Sequence, residues 1–505
     1  MQLYYTLFVL FGTFATIYCL DNYIVPASQI TGLYYLYNST NGKRWTLDPL
    51  GPGKWQFPPP TSPCDPLWQG LYCVCTPETN EFCNITKISL SGKNLNGPVP
   101  PELNLLPELN TLDLHTNRLN GTNLTFVCDL YSLVYLNLGD AGIEDVVPSC
   151  IGQSSMLDYI KLASNLLKNT NMSVFCELPL LGYLDLESSN MRGTIPACFG
   201  NLSMLYELRM GNNLHITGSL PIQLSSLSSM QRFDIYDASL NGTLPTWLEQ
   251  WKQLVEIELT NNDFSGTIPE EISKLSNLGT LSIAVNKLVG TIPSVFEKLS
   301  ALKELALNDN HLSHTIPSMF AANLIDVDLA NNFLTGSIPA CFGNASGLQY
   351  FSLGHNSLSG KFANCQALFL SMMLIYNCVL NVGTIPSFFR SNTQLSYLYL
   401  DSNAFTGTDA IFSLPTVFFS SVDLSYNSLS GTLPFGLTNY SFLNFYGRHN
   451  YFSGSFPAVD LNLFWLRTDI LDLSYNTLTG TLPSSLHVVS SAAMHVVSNA
   501  HFRFT

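Results

Sequence analysis

Charge is what this sequence has least of. Only 11% of its 505 residues are Asp, Glu, Lys or Arg, against about a quarter in ordinary globular proteins. Bases are scarcest: 21 Lys+Arg face 36 Asp+Glu, for a net charge of -15. So few bases argue against nucleic acid, whose phosphates need a basic patch, and against docking on anionic lipid. Beyond the first residues no run of 18 apolar residues occurs, so no later membrane span is expected. HExxH, GxSxG, Walker and kinase signatures are also missing. No catalytic residue, metal or cofactor is therefore expected. Long disorder is excluded as well, because 46% of the residues are hydrophobic.

What is present begins with an export signal. Met1 to Cys19 has an apolar core from Leu7 to Ile17 and no charged side chain before Asp21. The core is short for a mature membrane helix and suits a signal peptide, with an uncleaved anchor as the alternative. Export predicts glycosylated asparagines, and nine sequons occur, at Asn38, Asn84, Asn120, Asn123, Asn171, Asn201, Asn241, Asn344 and Asn439. It also predicts oxidised cysteines, and eleven follow Cys19, most of them in close-spaced pairs.

A period of about 24 residues organises most of the chain. The motif LxLxxNxLxG, aligned on its second apolar position, recurs 17 times: Leu90, Leu114, Leu138, Leu162, Leu186, Met210, Ile235, Leu259, Ile283, Leu307, Leu329, Leu353, Leu374, Leu400, Leu424, Gly447 and Leu473. An eighteenth copy is suggested near Val496. Length alone would suggest about three domains; the repeat replaces that guess with one solenoid. Within each copy the LxL alternation predicts a short strand with both apolar residues inward. The Asn that follows can satisfy backbone groups at the turn. Asn117, Asn165, Asn213, Asn262, Asn286, Asn310, Asn332, Asn356, Asn377, Asn403, Asn427, Asn450 and Asn476 take that place. Lys93, Ala141, Ser189 and Ala238 replace it, which predicts a weaker ladder in the first half.

After the bend most copies read GxIP, as in Gly193 to Pro196, Gly266 to Pro269, Gly290 to Pro293, Gly336 to Pro339 and Gly480 to Pro483, with His314 replacing one Gly. This signature resembles the plant-type leucine-rich repeat, a family of extracellular receptors and inhibitors of wall-degrading enzymes. The resemblance covers roughly residues 86–483. It implies an α/β repeat solenoid of about 17–18 rungs, a leucine-rich repeat superhelix with a parallel concave sheet and a second short sheet. The segment with Cys64, Trp68, Gly70 and Cys73 resembles that family's amino-terminal cap, which implies bridges Cys64–Cys73 and Cys75–Cys83. A zinc site on these four cysteines is the rival; the spacing lacks paired Cys-x2-Cys units.

Elsewhere, Cys341 and Cys365 lie 24 apart in equal phase, about 5 Å apart once stacked. Cys128 with Cys150, and Cys176 with Cys198, are each 22 apart and could bridge neighbouring rungs. Cys378 is left over, and a buried rather than catalytic role is expected. The chain thus divides into a signal peptide (1–19), a cap (20–85), repeats (86–483) and a degenerate last repeat or truncated end (484–505).

Residues flanking the inward leucines should face outward on the concave sheet. They include Asp113, Asp185, Asp234, Glu258, Asp328, Asp423 and Asp472, with Tyr135, Tyr159, Tyr183, Tyr236, Tyr350, Tyr397, Tyr399, Tyr426, Tyr446 and Tyr475. Tyrosine gives a large apolar area with a polar tip at little entropic cost. Tyr159, Tyr183, Asp185, Tyr236, Asp234, Glu258, Tyr397 and Tyr399 are the candidate ligand contacts; family habit in LDLSYN-like repeats is the bland alternative. His115, His311, His355 and His449 are also placed there, in scattered rungs. Asp234 and Glu258 form an adjacent-rung acidic pair, but a glycosidase needs an enclosed site, so a solvated pair is favoured. No sequon falls on an outward concave position, so glycans would leave that face free. The expected function is a non-catalytic, secreted or cell-surface recognition protein. Its ligand would be a protein, peptide or carbohydrate, cationic or neutral rather than anionic. The alternatives are a structural adhesion or matrix protein and a secreted enzyme inhibitor.

Overall fold

The computed structural model describes residues 25–504 except 50–54, 58, 60–61, 65–67, 76–82, 169, 318–322, 340–346, 360–369, 379–382, 386–391, 393, 409–417, 434–440, 456–469, 483–492 and 496–500. The signal-peptide expectation, the Cys341–Cys365 pair and the sequons Asn344 and Asn439 lie outside the described residues. The chain divides into two compact units, Met1–Ser239 and Leu240–Thr505.

The first unit opens with an α-helix, Ala27–Ser39, that buries Leu33 and Leu36. Two antiparallel strands follow, Leu71–Cys75 and Cys83–Ser89, held by disulfides Cys64–Cys73 and Cys75–Cys83. Trp45, Trp55 and Trp68 fill the space between, with ring centroids 4.9 and 5.3 Å apart. The end of the second strand, Lys87–Ser89, is the first rung and pairs in parallel with Thr111–Asp113 of the second rung. Five more strands continue in register: Tyr135–Asn137, Tyr159–Lys161, Tyr183–Asp185, Glu207–Arg209 and Arg232–Asp234. The second unit has its own parallel stack of the same kind, through Glu256–Glu258, Thr280–Ser282, Glu304–Ala306, Asp326–Asp328, Tyr350–Ser352, Met372–Leu374, Tyr397–Tyr399, Phe418–Asp423, Ser441–Tyr446, Ile470–Asp472 and Ala493–His495. This is the architecture expected of a repeat solenoid with a parallel sheet.

One rung shows why the sequence folds this way. Leu281 and Ile283 alternate inward and are fully buried. The chain then turns through Val285 in the left-handed region, φ 52°. Every rung repeats that conformation just before the ladder position, at Asn261, Asp309, Asn331, His355 and their equivalents. Asn286 follows and closes the turn. Its Nδ2 donates to the carbonyls of Leu259 (3.0 Å), Ile283 (3.2 Å) and Ala284 (3.0 Å), and its Oδ1 accepts from the amide of Phe264 (2.9 Å). One side chain thus satisfies buried backbone groups of its own rung and of the rung before.

Gly290 then takes φ +83°, and a Cβ there would lie 2.9 Å from the methyl of Thr267 on the preceding rung. The position needs glycine for both reasons. His314 holds the same left-handed conformation, φ 67°, where it replaces glycine. A residue before proline is pushed towards extended backbone. Ile292 accordingly buries its side chain and Pro293 (φ −61°) starts the 3-10 turn Ser294–Lys298. Phe296, Leu299 and Leu302 complete the core of the rung. The segments after the bend pair as a second parallel sheet, Arg192–Thr194 with His215–Gly218 in the first unit and Asp263–Gly266, Lys287–Gly290, His311–Thr315, Phe333–Gly336 and Ser357–Leu358 in the second.

The rung at Met372–Leu374 corrects the sequence alignment. Met373 pairs with Leu398, so the second inward residue is Ile375 rather than Leu374. The ladder position therefore falls on Cys378, not Asn377. Cys378 is buried and its Sγ faces the carbonyls of Leu353 (3.3 Å) and Tyr376 (3.7 Å), while Asn377 is exposed in the left-handed turn. Among the described residues of the first unit only Asn117, Asn165 and Asn213 supply ladder carboxamides; Ser189 partly substitutes, its Oγ donating to Leu162 O at 2.8 Å. The first unit gains two inter-rung disulfides, Cys128–Cys150 and Cys176–Cys198.

Candidate functional site

In-register pairing places equivalent side chains of successive strands in rows. In the first unit Tyr135, Tyr159 and Tyr183 form such a row and stack, with ring centroids 4.2 and 4.1 Å apart and planes within 13° and 5°. Burial, and for Tyr159 the neighbouring phenols, hold Tyr159 and Tyr183 above the usual phenol range, so both stay protonated donors at neutral pH. Beside the stack Lys161 Nζ lies 2.7 Å from Asp185 Oδ2, which also accepts from Tyr183 OH at 3.3 Å. Arg209 pairs with Glu207 at 2.6 Å. Tyr236 OH donates to Glu187 at 2.6 Å, its ring lying over Gly211, where a Cβ would meet it at 2.3 Å. The result is a pre-paired surface of aromatic and charged groups.

Two expected contacts are buried rather than exposed. Asp185 is 1% exposed and Asp234 8%. Strand phase gave their direction correctly, but Lys161 and Tyr183 lie over Asp185. Asp185 therefore positions its neighbours instead of meeting solvent. His311 begins a strand of the second sheet and belongs to the lateral face rather than the concave one.

In the second unit Thr280, Ser282 and Ala306 are small residues between larger ones, which leaves a hollow of about 370 Å³. Glu258, Glu304, Asp326, Asp328 and Tyr350 stand around it, over a floor of Leu281 and Leu305. Glu304 and Asp326 are direct partners on adjacent strands. Asp328 accepts from the amide of Ala330 (3.0 Å) and from Tyr350 OH (3.2 Å), and Glu304 from Thr280 Oγ1 (3.3 Å). Among the described residues no base forms an ion pair with any of the four carboxylates. Burial raises Asp328, and burial with the charge of Glu304 raises Asp326. Burial also pushes Tyr350 up to about 12. The sequence reading found Glu258, Asp328 and Tyr350 for this face but missed Glu304 and Asp326. They hold the same strand position as Tyr350, where only tyrosines were singled out above as outward residues.

Further along, Tyr397 and Tyr399 are half-buried on one strand. Asp401, just beyond, is held at about 6 by burial and the nearby Asp423. Tyr426, His449 and Tyr475 occupy successive left-handed turns and stack at 4.4 and 4.2 Å, with Tyr426 44% and Tyr475 55% exposed. Arg448 lies over Tyr426, 5.1 Å from its centroid. Among the described residues no cluster of His, Cys, Asp and Glu suits a metal ion, and no helix is long and apolar enough to cross a membrane.

Comparison with known proteins agrees with the repeat-solenoid fold. The leucine-rich repeat family model matches residues 253–275, 323–345 and 468–488. A probable LRR receptor-like serine/threonine-protein kinase of Arabidopsis thaliana is 28% identical over 111 residues, 21% of this chain and 11% of that protein, so the chain matches only a small part of it. Among solved structures, the plant peptide hormone receptor RGFR1 in complex with RGF2 aligns at TM-score 0.73 and 29% identity, covering 83% of this chain and 71% of the other. The ectodomain of GASSHO1/SCHENGEN3 from Arabidopsis thaliana, in complex with CASPARIAN STRIP INTEGRITY FACTOR 2, gives 0.71 and 29%, over 81% and 52%. The Arabidopsis receptor kinase HAESA, in complex with the peptide hormone IDA and the co-receptor SERK1, gives 0.69 and 26%, over 95% and 90%. The chain carries leucine-rich repeats, and these structural neighbours are plant receptor ectodomains.

Proposed function

We propose that this chain is a non-catalytic extracellular recognition module that holds a peptide or protein ligand against its concave strands, and that the ligand is basic or neutral. The observation that carries the charge preference is the hollow in the second unit, where Glu258, Glu304, Asp326 and Asp328 stand together without a base. An incoming guanidinium or ammonium would supply the missing partner and relieve their mutual repulsion. The stacked tyrosines of the first unit offer contact area already fixed in place, so little entropy is lost on binding. The likeness to receptors solved with peptide ligands supports the peptide class.

The test is calorimetric titration of the secreted protein with a panel of short peptides matched in length and differing in charge. Basic and neutral peptides should bind saturably. Glu304→Gln with Asp326→Asn should weaken the basic ones by at least about tenfold, the size expected for losing a charge-assisted contact. Equal binding of acidic peptides, or binding of oligosaccharides alone, would overturn the reading.

A further inference from the structure

Two rungs of the first unit depart from the rest. Where most rungs place proline before the 3-10 turn, as at Pro100, Pro148, Pro196 and Pro221, these place asparagine: Asn123 before Leu124–Asp129 and Asn171 before Met172–Glu177. The two lie 48 residues apart, two rungs in equal phase. Their rungs also hold ladder carboxamides, Asn117 and Asn165, and the first cysteine of each inter-rung disulfide, Cys128 and Cys176.

Both asparagines use one half of the carboxamide. Asn123 Oδ1 accepts from the amide of Thr125 at 2.9 Å, and Asn171 Oδ1 from the amide of Ser173 at 3.1 Å. Thr125 and Ser173 are also the hydroxyl residues of the two sequons, Asn-Leu-Thr and Asn-Met-Ser. Among the described residues neither Nδ2 has a hydrogen-bond partner, and both asparagines are exposed. The carbonyl is fixed while the nitrogen stands free in solvent. Glycosylation at nitrogen leaves the amide carbonyl able to accept, so sugar and turn do not compete. The four disulfides in the structure fit an oxidising, exported setting in which such transfer takes place.

We infer that Asn123 and Asn171 each carry an N-linked glycan on Nδ2 while their carbonyls keep closing the turn. The donor is a lipid-linked oligosaccharide pyrophosphate. The anomeric C1–O bond to phosphate breaks, a C1–Nδ2 bond forms, Nδ2 loses one proton and the lipid pyrophosphate departs. The 3-10 turns stack on one another away from the strands, so these sugars stand clear of the tyrosine row.

The full chain would be expressed in a eukaryotic secretory host. Its proteolytic peptides would be deglycosylated with a peptide-N-glycosidase in heavy-oxygen water, which marks each formerly glycosylated Asn as labelled Asp in fragment spectra. The inference expects label at positions 123 and 171. Unlabelled Asn123 or Asn171 overturns it. The double role is read separately by thermal unfolding. Thr125→Ala removes the sugar and keeps the carbonyl, Asn123→Asp does the same, and Asn123→Gln loses both. A lower unfolding midpoint for Asn123→Gln than for the other two is expected, and equal midpoints for all three would sink the capping half. Failure of Asn123→Gln to be secreted while the other two are secreted counts as the expected loss.

Discussion

Asn310 donates through Nδ2 to the carbonyls of Ile283, Leu307 and Asn308 at 3.0 to 3.2 Å, and accepts from the amide of Leu288 at 3.0 Å. Asn310→Ala strands these buried groups in a place too tight for easy hydration. A loss on the order of 2–4 kcal/mol is expected from chemical unfolding. The reverse holds at Cys378, whose thiol meets two carbonyls only weakly; Cys378→Asn should raise stability by up to about 1 kcal/mol in the same assay. Asp401 gives a pH signature. Burial and Asp423 raise it from 3.8 to about 6, and Ser402 and His355 oppose this only partly, with Tyr376 facing the same group. The folded state therefore binds this proton more tightly than the unfolded chain. Its stabilising contribution is full below pH 4 and is lost as the pH rises through 6. Asp401→Asn should stabilise the protein at pH 7.5 and hardly at pH 4. The gain should be on the order of 1 kcal/mol once solvent screening of this half-buried group is allowed for. An equal effect at both pH values would contradict the assignment.

At the scale of elements, the two units close their rungs differently. The second relies on carboxamides in nearly every rung, whereas the first alternates them with Ala141, Ser189 and Ala238 and adds Cys128–Cys150 and Cys176–Cys198. Each of these bridges joins residues 22 apart, which in the chain-entropy model contributes about 3 kcal/mol. Cys128→Ala with Cys150→Ala should lower the unfolding midpoint of the first unit and leave the ladder variant Asn310→Ala additive with it. Much of this was legible beforehand. A 24-residue phase fixes which residue of each strand points inward, because side chains alternate with a period of two. The phase failed at Met372–Leu374, where Met372, Met373, Leu374 and Ile375 are all apolar and alternation carries no information. It also gave direction without cover: nothing in the spacing says that Lys161 closes over Asp185, or that Thr280, Ser282 and Ala306 leave room between Glu258 and Asp326.

For the whole molecule, a net charge of -15 acts on any charged partner at a distance. If the proposed basic ligand is correct, its association should slow and its Kd rise as salt goes from about 50 to 500 mM, since the Debye length falls below 5 Å over that range. A neutral peptide should hardly respond, and stopped-flow mixing separates the two. One further consequence follows from the reach of the ladder. Asn286 hydrogen-bonds to its own rung and the one carrying Leu259, and Asn310 to its own and the one carrying Ile283. No such side chain measures how many rungs lie beyond its neighbour. A gene encoding a ladder of this kind can gain or lose a repeat by unequal crossing-over, and the remaining rungs close as before. Ligand range can then change by adding or removing whole steps, without redesigning any one of them.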